Sequence, residues 1–159
     1  MTGHLRKILS HPLLALVFRL YIGGIFVYAA MYKINYVAEF STTIASYRLA
    51  PFWAVNILSI IMPWMEIICG ALLILGIRVK SSASVIMSML AVFTVAIIIN
   101  LFRNAPISCG CFHTIEDPIS WWTVLRDLSW IAMTMHVYHF DSIFQTDQLF
   151  LGKLKGIRS

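Results

Sequence analysis

Residues 83–102 read ASVIMSMLAVFTVAIIINLF, twenty consecutive positions without one charged side chain. A helix needs about 20 mainly apolar residues to cross a bilayer's hydrocarbon core. Within that core the backbone must satisfy its own hydrogen bonds, which a helix does. The stretch therefore reads as a membrane-spanning helix. Three others share its length and character: 13–32, 53–77 and 121–140. The 159-residue chain is 60% hydrophobic and 12% charged, about half the charge expected of a soluble domain. A water-soluble bundle would need polar helix faces that these segments lack. The first stretch is not a cleavable signal, because it has no small-residue cleavage site and carries Arg19 inside it. The expectation is an all-α membrane protein. It is a four-transmembrane-helix bundle formed as a single integral membrane domain over 1–159, with lipid as its surroundings.

The connections are short. Between the first two spans, Val37, Phe40, Ile44 and Tyr47 recur at spacings of three and four, the period of one helix face. This predicts a short interfacial helix, ended by Pro51 ahead of the anchoring Trp53. Gly23-Gly24 and Ala29-Ala30 would let helix backbones approach closely in lipid. Pro63 removes a backbone donor inside the second span and predicts a kink there. Ser81 or Ser82 is placed to cap the third helix and Ser120 the fourth.

The net charge of +5 does not argue for nucleic acid, since the basic residues are dispersed beside membrane segments. Their distribution sets topology instead. Arg6, Lys7, Arg78, Lys80, Lys153, Lys155 and Arg158 fall on one side, and Lys33, Arg48 and Arg103 on the other. Both termini are thus expected in the cytoplasm, with the loop between the last two spans extracytoplasmic. That loop holds Cys109-Gly110-Cys111, two of only three cysteines. It faces the compartment where disulfides persist.

A disulfide across one residue is geometrically tight, and the intervening glycine relaxes the backbone constraint. A strained, exposed disulfide is oxidising and exchanges readily, as a catalytic pair should. A structural clip would restrict almost no chain. The serious rival is a soft metal such as Cu(I) or zinc, held by Cys109, Cys111 and His113. Those three ligands fall short of a closed zinc site, so no metal is expected. Cys69, about 24 Å deeper than the loop at 1.5 Å per helical residue, reads as a small core residue.

Arg19, Glu66, Arg126 and Asp127 lie inside the spans, where a charge is costly unless paired or hydrated. Arg19 and Glu66 are at depths differing by only about 7–8 Å, so they are expected to pair. That pair either fixes helix register or lines a quinone or proton path. Arg126 and Asp127 point about 100° apart and should not face the same neighbour. With Asn100, Arg103, Asn104 and Lys33 they make an outer cluster around the thiols, whose cations favour thiolate. Lys33 alone reads as a snorkelling helix end.

The chain resembles the MauE family, a branch of the DoxX-like four-helix membrane proteins. The resemblance covers roughly 19–127. It rests on Arg19, Gly23-Gly24 and Lys33; on Phe40 through Tyr47 to Pro51; and on Glu66 with Gly70. Its most specific part is Asn100-Leu101-Phe102-Arg103, Cys109-Gly110-Cys111-Phe112, Ile119-Ser120-Trp121 and Arg126-Asp127. His113 departs from the glycine expected after Cys-Gly-Cys-Phe. The resemblance implies a bacterial inner-membrane protein associated with disulfide formation in extracytoplasmic proteins, alongside a thioredoxin-like partner. In the methylamine system the client is a disulfide-rich dehydrogenase subunit. DoxX relatives are linked to quinone-coupled sulfur oxidation.

The leading expectation is therefore a membrane thiol–disulfide oxidoreductase. Cys109 and Cys111 would exchange with a periplasmic thioredoxin-like protein or a disulfide-containing client, tuned by Arg103, Arg126 and Asp127. Electrons would pass to quinone, with Arg19 and Glu66 serving the cofactor or its protons. The alternatives are a soft-metal binding or transport protein and a non-catalytic membrane assembly subunit.

Overall fold

The computed structural model describes residues 12–104, 107 and 119–140. These form five helices: α1 Pro12–Asn35, α2 Val37–Ser46, α3 Phe52–Leu75, α4 Val79–Phe102 and α5 Trp121–Phe140. No strand occurs among the described residues. The sequence boundaries hold for α5 and shift by up to four residues elsewhere.

Three helices are long and apolar enough to cross a membrane: α1 from Leu13, α3 and α4. The expectation of four such stretches is thus met by three. α5 puts Arg126, Asp127, His136 and His139 into 20 residues, which dilutes its apolar character. The three apolar helices face outward with what a soluble protein hides. Ile60, Ile61, Trp64 and Ile68 on α3, and Val92 and Val95 on α4, are all more than half exposed. Arg19, Lys33, Glu66 and Asp127 are buried. That inversion of the usual inside and outside matches hydrocarbon as the solvent.

The helices pack as a ring, α1 on α3, α3 on α4, α4 on α5 and α5 back on α1, with α1 against α3 the most extensive contact. Glycine makes that contact possible. A Cβ added to Gly70 would lie 3.0 Å from the Gly23 carbonyl oxygen, and one on Gly23 would lie 2.9 Å from that of Gly70. The two backbones therefore touch, as small residues permit in lipid. Gly24 faces open space, so of the glycine pair only Gly23 serves this crossing. Below it, Ile22, Phe26, Cys69, Leu73, Ile86 and Val137 form one core cluster, and Cys69 sits there as expected.

The stripe on α2 turns onto the bundle. Phe40 and, just beyond the helix, Tyr47 are buried, and α2 packs on α3. Extended Pro51 (ψ 152°) then starts α3, which runs unbroken through the buried Pro63. α3 stops at Gly76, whose φ of 73° glycine adopts without steric cost. Ile77 N–H donates to the Leu72 carbonyl and Gly76 N–H to that of Leu73, closing a Schellman motif. α4 resumes at once from Arg78, so Ser81 and Ser82 fall inside its first turns and cap nothing. Their polar character misplaced the start because the tight Gly76–Arg78 turn left no loop for them to occupy. Ser120 does stand at the head of α5, its carbonyl accepting from the Thr123 and Val124 N–H groups at 3.0 and 3.4 Å.

Candidate functional site: a charged cavity inside the bundle

The Gly23–Gly70 crossing fixes which charges meet. Measured from it along antiparallel helices, Glu66 lies about 6 Å toward the Pro51 end of α3, and Arg19 about 6 Å the other way. They diverge by about 12 Å. Lys33, ten residues past Gly23, lies about 15 Å up, within reach of Glu66 when both side chains bend along the bundle. The Lys33 ammonium donates to Glu66 Oε1 at 2.6 Å and Oε2 at 2.9 Å. The expected Arg19–Glu66 pair is therefore replaced by Lys33–Glu66. Counting residues from the span ends misjudged the level, because α1 and α3 are offset where they cross. Lys33 is not a snorkelling end: its side chain is 10% exposed and that of Glu66 8%, and the ammonium lies 5.0 Å from the Phe40 ring centre. Arg19 is buried lower on α1 and lines neither of the cavities described below.

The pair faces a cavity of about 50 Å³, whose walls include Phe26, Lys33, Phe40, Glu66, Asp127 and Trp130. A polar site of that size has room for water. Asp127 enters it from α5 with 1% of its side chain exposed. Its Oδ1 accepts from Arg126 Nη2 at 3.0 Å and Nε at 3.2 Å. Its Oδ2 is buried with no hydrogen-bond partner among the described residues. Adjacent residues leave a helix about 100° apart. The long Arg126 side chain closes the gap by folding back, with its guanidinium 4.7 Å over the Trp130 ring. Like-for-like, one pair in the cavity is satisfied on both carboxylate oxygens and the other on one.

A second, apolar cavity of about 140 Å³ adjoins the first. Phe40, Met62 and Phe93 line both. Its other walls include Ile44, Tyr47, Leu58, Val92 and Ala96, so it lies beneath α2 at the α3–α4 seam. The Tyr47 ring packs 6.0 Å from that of Phe93. Burial first, and then the Asp127 carboxylate, push the Tyr47 phenol well above its ordinary 10.0; the Arg126 charge opposes this. Tyr47 thus stands electrostatically close to the Arg126–Asp127 pair while lining the apolar chamber. The sequence showed Tyr47 in an α2 stripe and Lys33 as a helix end of the outer cluster, and neither as the wall of a cavity.

Of the other expected site residues, Arg103 ends α4 and is exposed. Lys33 is turned inward by Glu66, into the cavity that Asp127, the partner of Arg126, also lines. Cys109, Cys111 and His113 lie outside the described residues, and with them the metal alternative. Among the described residues no three His, Cys, Asp or Glu side chains gather as a metal site. The segment's two ends are described: Ile119 N–H donates to the Ile107 carbonyl at 3.0 Å, and Ile119 packs with Tyr47, Ile97 and Val124.

A helical bundle with apolar walls outside and a charged cavity within defines a membrane protein of the polytopic α-helical class. The chain belongs to the MauE family, described as methylamine utilisation protein MauE, which matches residues 11–139. It is similar to the methylamine utilization protein MauE of Paracoccus denitrificans, 29% identical over 131 residues, covering 81% of this chain and 70% of that one. The Methylophilus methylotrophus protein of the same name is 30% identical over 137 residues, covering 84% and 72%. No solved structure matches the chain.

Proposed function

We propose that this protein is a membrane thiol–disulfide oxidoreductase, with Cys109 and Cys111 as its redox pair. The observation that carries the reading is that the two described ends of the cysteine segment meet beside the start of α5, the helix that carries Asp127. Ile107 and Ile119 are hydrogen-bonded to each other. Two residues of chain hold Cys109 within about 7 Å of Ile107. Asp127 lies six residues into α5, about 9 Å below its head. Chain length therefore limits how far Cys109 can stand from the helix that carries Asp127.

In this reading the Cys109–Cys111 disulfide takes two electrons and two protons from a client dithiol, leaving the client oxidised and the pair as two thiols. The pair must then return both electrons and both protons to an acceptor. A membrane quinone, when bound, supplies a two-electron, two-proton acceptor for that return. Asp127 is placed to hold one of the protons on Oδ2, and Arg126 to steady the carboxylate. Arg103, at the end of α4 ahead of the cysteines, favours the attacking thiolate if its side chain turns toward them.

The fourth crossing belongs to the same proposal. α5 would complete the membrane bundle with its charged side turned inward and α2 lying in the outer interface. Both termini would be cytoplasmic and the cysteine segment extracytoplasmic, in a bacterial inner membrane. A periplasmic thioredoxin-like protein or a disulfide-containing client would be the partner, and the name its relatives carry is in keeping with a client in methylamine utilisation. The test is oxidation of a reduced thioredoxin-like donor by the protein in reconstituted membranes containing quinone. Wild type should turn over, and the double variant Cys109→Ser, Cys111→Ser should not. Equal behaviour of the two, with no mixed disulfide formed in cells, would leave a non-catalytic assembly role in its place.

A further inference from the structure

The charges gathered at the charged cavity sum to zero, Lys33 with Glu66 and Asp127 with Arg126 behind it. One polar atom there is unmatched. Asp127 Oδ2 is buried with no hydrogen-bond partner among the described residues, on a side chain only 1% exposed. A buried carboxylate oxygen without a donor bears the full cost of leaving water. A further cation would upset the balance of charge, so the partner that suits this oxygen is neutral and small. We propose that the cavity is a water-binding site, in which a small cluster of waters bridges Asp127 Oδ2 to the Lys33–Glu66 pair. The site is a property of the bundle and does not depend on what the cysteines do.

Size, partners and chemistry all favour water as the occupant. The cavity measures about 50 Å³, and one water needs about 10–15 Å³, so there is room for about three. A buried water needs about two to four polar partners, and this cavity offers an ammonium and two carboxylates. Lys33 has three N–H donors, and Glu66 takes two of them. The third can serve a water, while the oxygens of Glu66 and Asp127 accept from it. Water also suits Asp127 in either protonation state. An ionised Oδ2 needs a donor and a protonated one needs an acceptor; water is both, whereas an ammonium only donates. A proton brought to the cluster passes to Oδ2, leaving a neutral water that accepts from the new O–H. Lys33 and Glu66 keep their charges through the step. The cluster thereby ties the α1–α3 pair to α5, and gives the proton-holding carboxylate a way to exchange its proton inside the bundle.

The experiment is X-ray hydroxyl-radical footprinting of the full-length protein in lipid nanodiscs, in water carrying heavy oxygen, followed by peptide mapping. Radicals form where water sits, so a buried side chain beside it takes up the label. Phe26 and Trp130 are 6% and 9% exposed and line the cavity. Cys69 is 7% exposed in the same core cluster but lines neither cavity. Label should appear on Phe26 and Trp130 and not on Cys69, although a thiol is the more reactive target. Ala29 is buried in the cavity wall. Ala29→Leu, which fills the space, and Asp127→Leu, which removes Oδ2, should each abolish the label. Asp127→Asn, which still offers an oxygen and an N–H, should keep it. The double variant Lys33→Leu, Glu66→Leu should lower it, by taking away the other end of the bridge. Wild-type label on Phe26 and Trp130 no greater than on Cys69 would overturn the site, whatever the variants do. Label unchanged in the folded double variant would overturn the bridge. Label in the cavity without thiol exchange would refute the oxidoreductase reading and leave the water site standing. Thiol exchange without label would do the reverse.

Discussion

The two ion pairs of the charged cavity have opposite designs. Lys33 and Glu66 come from different helices and satisfy each other on both carboxylate oxygens. Arg126 and Asp127 are neighbours on one helix, and one carboxylate oxygen is left over. A pair that joins two helices and leaves nothing unsatisfied serves to hold them at a level. A pair of neighbours on one helix whose buried acceptor has no partner among the described residues costs stability instead. The difference separates a carboxylate fully satisfied across two helices from one left half-satisfied.

The largest effect expected is on the first pair. Lys33→Met or Glu66→Leu alone should destabilise by about 3–5 kcal/mol, because the survivor is left as an uncompensated buried charge. The double variant should regain most of that loss, since two apolar side chains need no partner. Unfolding in detergent, compared across the four proteins of the cycle, measures the coupling. A coupling near zero would break the contrast at its stronger end. Substituting Arg19 should leave that coupling unchanged.

The crossing that sets the level comes next. Gly70→Val would place side-chain atoms against the Gly23 carbonyl and against Val27, whose Cγ2 is already 3.0 Å from a Cβ position at Gly70. Overpacking of this kind costs about 1–3 kcal/mol. Because it separates α1 from α3, it should also weaken the Lys33–Glu66 coupling. Gly24→Val should do neither, since that position opens on free space.

How much of this could be read beforehand follows from the same geometry. Apolar length announced α1, α3 and α4, and the three-and-four spacing announced α2, because both signals are local. Glu66 and Asp127 stood out as intramembrane charges for a similar reason. The partner of Glu66 did not, since it depends on where Gly23 meets Gly70, an offset between helices that no single helix encodes. Lys33 looked like an ordinary helix end for want of that offset. Tyr47 was visible as part of a stripe, but its closeness to Asp127 joins the end of α2 to α5, across the bundle. The start of α4 was missed because polar serines drew the boundary away from the Gly76–Arg78 turn.

The second pair should respond differently from the first. Asp127→Asn should change stability by about 1 kcal/mol or less, because the charged, half-satisfied carboxylate gives little net stabilisation to lose. Arg126→Gln should cost more, about 1–3 kcal/mol, by stripping the remaining partners from a buried carboxylate. Under the proposed function, Asp127→Asn should slow quinone-linked turnover far more than it alters folding. The reverse, a large stability loss with full turnover, would make Asp127 architectural like Glu66.

The smallest effect concerns Tyr47 and depends on pH. Its phenol is raised in the folded protein above its ordinary 10.0, first by burial and then by Asp127. A group whose folded value is raised stabilises fully below its unfolded value and loses that contribution as pH climbs toward the folded one. Stability should therefore be insensitive to Tyr47 ionisation up to about pH 9 and begin to fall above 10. Tyr47→Phe should cost about 0.5–1.5 kcal/mol at neutral pH, the worth of a hydroxyl's hydrogen bond, and should lessen the alkaline loss. Asp127→Asn alone removes a carboxylate that helps raise the folded-state phenol, so that variant's loss should still begin at about pH 10 but be smaller, levelling off at lower pH than in wild type. Unfolding midpoints taken between pH 7 and 11 for wild type and the two variants decide it. An alkaline limb that Tyr47→Phe leaves untouched would mean that Tyr47 does not answer to Asp127, and that the two cavities are electrostatically separate.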